Sequence, residues 1–542
     1  MALKFIMRLK VNLFLFCVFF CSLTFCSKYS TGQRAKPERV LSTDEAKAVK
    51  KDGATLFATS DFKGALTAYQ ELIKTDPENS EFNYRLGICL LQTSFDKSSA
   101  LSYLQKHASS KDVKKDIEYY LGLAYMHNNK WDLAIAAFDN YKTQAGGRII
   151  KDLPSVDRLI EMSNNGKEIC KTSLNVSFEN PGKFINSSYE DYNPYISADG
   201  KYLAFTTRRK GNIGGFIDDL GIYTADIYGS IWRDTIWSKA KSFGGLVNGE
   251  WDEELVGLNA AGDQAFIYFD NFSFFADIGY TTTKGKSWLK PSMFGEGINT
   301  KMFEGSASIS LDGTTLYFSG LRKDGFGGSD ILMVKLDPNG NWGSIENLGS
   351  EINSKEDDDF PWLSLDGNTL YFASKGHNSM GDFDIFKSLR DPQTGKWQSP
   401  VNVGFPINNA DDNHSISFTG DGRYAYISAS RKEGFGNLDI WRVEFLDTSD
   451  HAFKTLITGD VISETGTRIK LSKVTLENLE TQRILSYAPS AAGNSFILNA
   501  SPGKYKLIAE GSNFVTTTSE ITIEPTYPPV AVHREIIVKP SK

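Results

Sequence analysis

A block of about 55 residues recurs five times in this chain, and no other feature limits its fold as strongly. The copies are FINSSYEDYNPYISADGKYLAFTT, LVNGEWDEELVGLNAAGDQAFIYF, GINTKMFEGSASISLDGTTLYFSG, EINSKEDDDFPWLSLDGNTLYFAS and PINNADDNHSISFTGDGRYAYISA. Asn186, Asn299, Asn353 and Asn408 each stand 13 residues before an Asp-Gly pair, at Asp199, Asp312, Asp366 and Asp421; the second copy has Asn248 and Gly262-Asp263. Asp-Gly between alternating apolar runs predicts a tight hairpin with both turn residues at positive φ. A third strand follows in each unit, as in SDILMVKL and LDIWRVEF. Trp237, Trp288, Trp342 and Trp397, each 11 residues before the next repeat asparagine, mark a fourth. Four strands per unit make a propeller blade. No tryptophan strand follows unit five, whereas LNVSF at 174–178 stands in phase ahead of Asn186. This N-terminal strand is therefore expected to complete the last blade and close a five-bladed ring over 171–448, removing its edges. Six blades is the alternative count.

A shorter period precedes the ring. Gly53, Gly87 and Gly122 lie 34 and 35 residues apart, and Ala65, Ala100 and Ala134 lie 35 and 34 apart. Small residues at that spacing mark close crossings in a series of helix pairs, with Asn128-Asn129 as a turn and Asp76-Pro77 as a helix stop. The units resemble the tetratricopeptide repeat, which implies three repeats and a capping helix over 45–169. By that resemblance Phe57, Tyr84, Leu91, Tyr119 and Met126 face a concave groove. Helical spacing adds Ile88 and Leu123, giving an apolar strip suited to a helix or extended segment of another protein. The alternative is that these side chains pack between repeats.

The termini carry different signals. Lys4, Arg8 and Lys10 precede VNLFLFCVFFCSLTF, a run too short to span a bilayer as a helix and typical of a secretory signal over 1–25. Leu23-Thr24-Phe25-Cys26 resembles the bacterial lipobox, with Phe25 where that pattern has a small residue, and implies lipidation of Cys26 followed by a linker over 26–44. At the other end, the short alternating strands of 456–540, with Ser501-Pro502-Gly503-Lys504-Tyr505, resemble a carboxypeptidase-regulatory-like β-sandwich. The repeat blocks of the middle resemble the TolB-type, WD40-like (PD40) propeller. The whole order is similar to outer-membrane lipoproteins, some of them associated with type IX secretion and gliding. Those continue into an OmpA-type domain that is not seen here, so direct peptidoglycan binding is not carried over.

Composition removes other classes. With 59 Lys+Arg against 66 Asp+Glu, net charge -7, the chain has no electrostatic footprint for nucleic acid. The six histidines form no short metal-ligand spacing, no GxSxG elbow exists, and GFGG at 325–328 opens no helix. No catalytic residue, metal or cofactor is therefore expected. The remaining constellation is charged: Asp191, Asp252, Glu304, Asp358 and Asp412 follow the repeat asparagines, and Arg208, Arg322 and Arg431 follow the second strands. It reads either as a propeller rim that docks a partner or as ion pairing between blades. The expectation is a non-catalytic scaffold lipoprotein on the periplasmic face of the outer membrane, binding envelope proteins through groove and rim. A carbohydrate-binding or glycosidase-like propeller is the alternative.

Overall fold

The computed structural model describes residues 41–541 apart from 94–95, 146–149, 151–152, 216, 218–221, 271–274, 449–452 and 490–494. The expected signal peptide, Cys26 and most of the 26–44 linker lie outside the described residues. Among the described residues seven α-helices come first: α1 (Thr43–Ala58), α2 (Phe62–Thr75), α3 (Ser80–Thr93), α4 (Ala100–Ala108), α5 (Ile117–Met126), α6 (Trp131–Ala145) and α7 (Val156–Ile169). Ser42 and Glu45 form a capping box at the start of α1, and Asp61 and Ser155 cap α2 and α7. Helices pack as α1 on α2, α3 on α4 and α5 on α6, with α7 closing on α6. The periodic small residues sit at these crossings: a Cβ on Gly122 would lie 2.3 Å from Phe138 Cε1, and one on Gly87 2.6 Å from Leu104 Cγ.

A large all-β region follows. It begins with β1 (Val176–Glu179) and continues into a first sheet, β2 (Asp191–Ile196), β3 (Tyr202–Thr207), β4 (Asp226–Arg233), β5 (Ile236–Trp237) and β6 (Lys241–Ser242). The second sheet is β7 (Asp252–Leu258), β8 (Gln264–Asp270), β9 (Phe275–Lys284), β10 (Ser287–Trp288) and β11 (Ser292–Met293). The third is β12 (Glu304–Ile309), β13 (Thr315–Leu321), β14 (Ser329–Lys335) and β15 (Glu346–Asn347). The fourth is β16 (Asp358–Leu363), β17 (Thr369–Ser374), β18 (Asp384–Leu389) and β19 (Val401–Asn402). The fifth joins β20 (Ile416–Phe418), β21 (Tyr424–Ala429) and β22 (Asp439–Phe445) to β1, which pairs antiparallel with β22 from Val176↔Phe445 to Glu179↔Arg442.

The apolar faces of these sheets meet in a cycle. Tyr195 and Ile227 of the first sheet pack with Leu255 and Ile267 of the second, and Phe266 of the second with Phe318 of the third. Ile331 of the third packs with Phe372 of the fourth, and Tyr371 of the fourth with Ile427 of the fifth. Ile440 and Tyr426 of the fifth return to Phe205 of the first. Each junction is stitched by the repeat asparagine. Its amide accepts from the N–H and donates to the C=O of one isoleucine in the preceding sheet: Asn248 with Ile227, Asn299 with Ile278, Asn353 with Ile331, Asn408 with Ile385 and Asn186 with Ile440, all at 2.8–3.1 Å. The last stitch crosses 254 residues.

The Asp-Gly turns differ from expectation in one respect. Only the glycine takes positive φ, as at Gly200 (+71°) and Gly367 (+68°), while the aspartate does not. Gly200 N–H donates to Ser197 O at 2.8 Å, and Asp199 Oδ1 accepts from Ser197 Oγ at 2.6 Å and from Lys201 N–H at 3.0 Å. This is a type I turn followed by a glycine bulge, in which the aspartate serves as a side-chain cap.

The tail holds β23 (Thr455–Ser463), β24 (Lys473–Asn478), β25 (Ile484–Tyr487), β26 (Ser495–Ala500), β27 (Gly503–Glu510), β28 (Thr517–Ile523) and β29 (Val532–Val538). Sheets ordered β26-β23-β29 and β25-β24-β27-β28 enclose one core. That core extends onto Ala198, Ala260, Leu311 and Leu365 in the hairpin turns of four sheets, so the tail lies against the turn side of the cycle. Asn499 Nδ2 donates to Gly420 O at 2.7 Å, and Lys454 pairs with Asp366 there.

Candidate functional site

The strip expected to line an open groove is instead packed. Tyr84, Ile88, Leu91, Tyr119 and Met126 are buried, and Phe57 and Leu123 are half-buried. Tyr84 donates to the Asp116 carboxylate at 2.6 Å and lies against the His107 and Tyr120 rings; Tyr119 donates to Pro154 O at 2.8 Å. Phe57 packs edge-on against Phe62 and Tyr69 under the Arg85 guanidinium. The contacts of these side chains come from neighbouring helices, and the β region adds to the same core elsewhere. Met380 and Ala410, from two of its loops, belong to the same apolar cluster as the helices. Around them His127 Nδ1 meets Asp411 at 2.9 Å, Arg158 donates to Ser379 Oγ at 2.8 Å and Asn165 donates to Ser379 O at 3.0 Å. The helical array is thus docked on the chain's own β region, an occupant that a repeat-by-repeat reading does not include.

The rim carboxylates are likewise engaged, which corrects the reading of an open charged face. Asp191, Glu304 and Asp358 are fully buried. They belong to a set, with Glu253 and Asn413, in which the side chain accepts the backbone N–H four residues earlier: Ser187, Gly249, Thr300, Ser354 and Asn409 donate at 2.5–2.9 Å. Arg209 pairs with Asp191 and donates to Ile185 O; Arg322 pairs with Glu304 at 2.5 Å and donates to Ile298 O at 3.0 Å. Arg208 spans two sheets, forked on Asp252 at 3.1 Å and reaching Glu254 at 3.1 Å. Asp412 pairs with His414 at 3.5 Å. Where no arginine pairs with the repeat carboxyl, burial pushes it up: Glu253 and Asp358 to about 7.

Two features were not anticipated. The residue after the repeat carboxylate varies from sheet to sheet, as Tyr192, Glu254, Gly305, Asp359 and His414, on or beside the inner strands. Tyr192 donates to Glu254 at 2.7 Å, and Asp359 accepts from Ser306 and Ser319 at 2.5 Å. Burial would lower the His414 pKa, but Asp412, with Glu254 and Asp359, raises it above the usual value. Side chains from four sheets therefore share one electrostatic environment. Phe360, at φ +52°, packs with its ring centre 4.8 Å from that of His414, tilted by 40°. The other feature is an apolar residue in the loop between second and third strands. Ile213, Phe326, Met380 and Phe435 each donate a backbone N–H to the aspartate that opens the third strand, Asp226, Asp330, Asp384 and Asp439. Met380 is fully buried under the helices, whereas Ile213, Phe326 and Phe435 are 46%, 47% and 51% exposed. The corresponding loop of the second sheet lies outside the described residues.

Among the described residues no group of three or more His, Cys, Asp or Glu side chains is arranged to hold a metal ion, and no helix is long and apolar enough to cross a membrane.

Residues 53–112 match the tetratricopeptide repeat family, whose stacked helix pairs form extended protein-binding surfaces. No curated protein matches the chain. Among solved structures, the helical part is similar to the first tetratricopeptide-repeat domain of Spaghetti bound to an HSP90 peptide, at 12% identity and TM-score 0.20, over 24% of this chain and 98% of that one. Endo-arabinase from Bacteroides thetaiotaomicron is similar over 50% of this chain and all (100%) of its own, at 15% identity and TM-score 0.32. An alpha-L-arabinofuranosidase from Lactobacillus brevis is similar over 52% and 94%, at 12% identity and TM-score 0.31.

Proposed function

We propose that the chain is a non-catalytic scaffold of a bacterial envelope complex, held by a lipid on Cys26 at the periplasmic face of the outer membrane. Its five cyclic sheets are read as a TolB/PD40-type propeller and its tail as a carboxypeptidase-regulatory-like sandwich. Type IX secretion or gliding is the assembly type to which the domain order points. One observation carries the reading. Of four equivalent loop residues, Met380 seats the helical array, while Ile213, Phe326 and Phe435 project unused. Exposed apolar anchors beside polar loops are the composition of a protein-docking face. Partner binding accordingly moves from the helical groove to this face.

Replacing Phe326 and Phe435 by Ser is expected to abolish crosslinking to the copurified envelope partner while leaving the melting temperature within about 1 °C, because both are half-exposed. Retention of the partner rejects this docking face. Cys26→Ser is expected to release the protein from the membrane fraction, and unchanged fractionation rejects the lipid anchor.

A second reading, carbohydrate binding or cleavage, is favoured by the convergence of Glu254 and Asp359 on His414. Paired carboxyls in unlike surroundings are what glycoside hydrolysis uses. Turnover of an aryl-glycoside panel that is lost in Glu254→Gln supports it; absence of turnover and of sugar binding rejects it.

A further inference from the structure

Arg431 stands at a place in the repeat where two other sheets have an arginine. The strand-two residues facing the third-strand aspartates are Thr207, Gly320 and Ala429, and two residues beyond each lies Arg209, Arg322 or Arg431. Arg209 and Arg322 turn inward onto the repeat carboxylate of their own sheet and onto Ile185 O and Ile298 O. In the fifth sheet that carboxylate position is Asn413, a neutral group whose oxygen already accepts from Asn409 N–H at 2.8 Å. With its repeat partner gone, Arg431 takes another course. Its guanidinium lies 3.5 Å from the centre of the Phe178 ring and 5.7 Å from that of Trp441. No hydrogen bond or ion pair to an anion reaches it among the described residues, and burial holds its pKa below the usual arginine value.

The guanidinium opens into a cavity of about 450 Å³ between the α5–α6 turn and the fifth sheet, walled by Phe178, Phe405 and Trp441. We infer that this cavity is a binding site for an organic carboxylate, its oxygens taken by the Arg431 fork and its carbon skeleton by the three aromatic rings. A planar, half-desolvated guanidinium matches a carboxylate in two parallel hydrogen bonds. The charges around it select against a polyanion: Lys432 adds one positive group, but Asp411 and Glu433 also line the cavity, with Asp411 held by His127. One negative charge is accommodated, and a doubly charged phosphate meets two carboxylates. The carboxylate has two sources, a free aromatic or aliphatic acid or the C-terminus of a peptide. Through Arg431, Lys432 and Glu433 the cavity shares the loop that carries Phe435, but carboxylate binding there stands whether or not Phe326 and Phe435 bind a partner.

Calorimetric titration of the full chain tests the site with benzoate, with a short peptide ending in Phe and a free carboxylate, with the same peptide as its C-terminal amide, and with inorganic phosphate. At least one of benzoate and the free-acid peptide is expected to bind, and which of the two binds identifies the source. The amide and phosphate are expected to bind at least about tenfold more weakly. Arg431→Gln is expected to remove the binding. Asn413→Asp is expected to do the same with Arg431 still present, because it restores the carboxylate that holds Arg209 and Arg322 in the other sheets. Absence of carboxylate binding at millimolar concentration, equal binding of phosphate or of the amide, or unchanged binding by a folded Asn413→Asp variant overturns the inference.

Discussion

Asp358 is buried beside Asp330 at the junction of the third and fourth sheets, accepting Ser354 N–H at 2.5 Å and leaving Oδ1 without a hydrogen-bond partner. His377 stands near it, donating to Ile352 O at 2.8 Å, where Arg209 and Arg322 bond the equivalent carbonyls of their sheets. Burial raises the Asp358 pKa to about 7, so between about pH 4 and 7 the folded state holds a proton that the unfolded state has released. Stability contributed by that proton is complete below the unfolded pKa and is lost as pH rises through 7. Asp358→Asn, which copies the natural Asn413, is therefore expected to stabilise the protein by about 1–2 kcal/mol at pH 8 and by little at pH 4.5, read as the difference in denaturation midpoint.

At the scale of elements, the cycle of sheets depends on short polar stitches more than on long strands. The outermost strands β15 and β19 are two residues long, whereas the repeat asparagines bind both backbone groups of a buried isoleucine. Asn186 is the stitch that joins the fifth sheet to the first, on the segment by which β1, hydrogen-bonded to β22, runs on into β2. Asn186→Ala strands the Ile440 N–H and C=O in an apolar junction, so a loss of about 2–4 kcal/mol in urea unfolding is expected. The same change at an exposed asparagine such as Asn164 is expected to move the midpoint by less than about 0.5 kcal/mol.

The whole molecule is a helical array, a cycle of five sheets and a terminal pair of sheets fastened to one another by a few polar contacts around apolar patches. Lys454 and Asp366 fasten the last part. Burial by itself would raise the Asp366 pKa, but the Lys454 ammonium and its hydrogen bond override this and hold it at about 2. A depressed carboxyl stabilises the fold above its unfolded pKa and loses that contribution as pH falls through the folded value. The terminal sheets are thus expected to stay docked down to about pH 4 and to become protease-sensitive between about pH 4 and 2. Lys454→Met leaves a buried charge unpaired and is expected to bring that sensitivity to neutral pH, with a loss of about 3 kcal/mol, followed by limited proteolysis and melting.

Local features of the sequence are sufficient for the elements: glycine and alanine at 34–35 residues specify helices that cross closely, and Ser-x-Asp-Gly, with Thr419 for the serine in the fifth sheet, specifies four of the five turns, because sterics and side-chain caps act over a few residues. The repeat asparagines were visible, but their use was not, since each partner isoleucine lies 21–254 residues away. The same holds for Tyr84, Ile88 and Tyr119, whose helical spacing is identical for a groove lining and for a core. Only the tertiary packing of the neighbouring helices, which surrounds Tyr84 with Asp116, His107 and Tyr120 and Tyr119 with Phe138 and Tyr141, decides between them. Glu254, Asp359 and His414 share an environment because the inner edges of three different sheets meet, and Arg431 has no anion against it among the described residues, where Asn413 stands in place of the repeat carboxylate. Spacing along the chain fixes which side chains share a face. Which of those faces remains open is fixed by whatever else the chain folds against it.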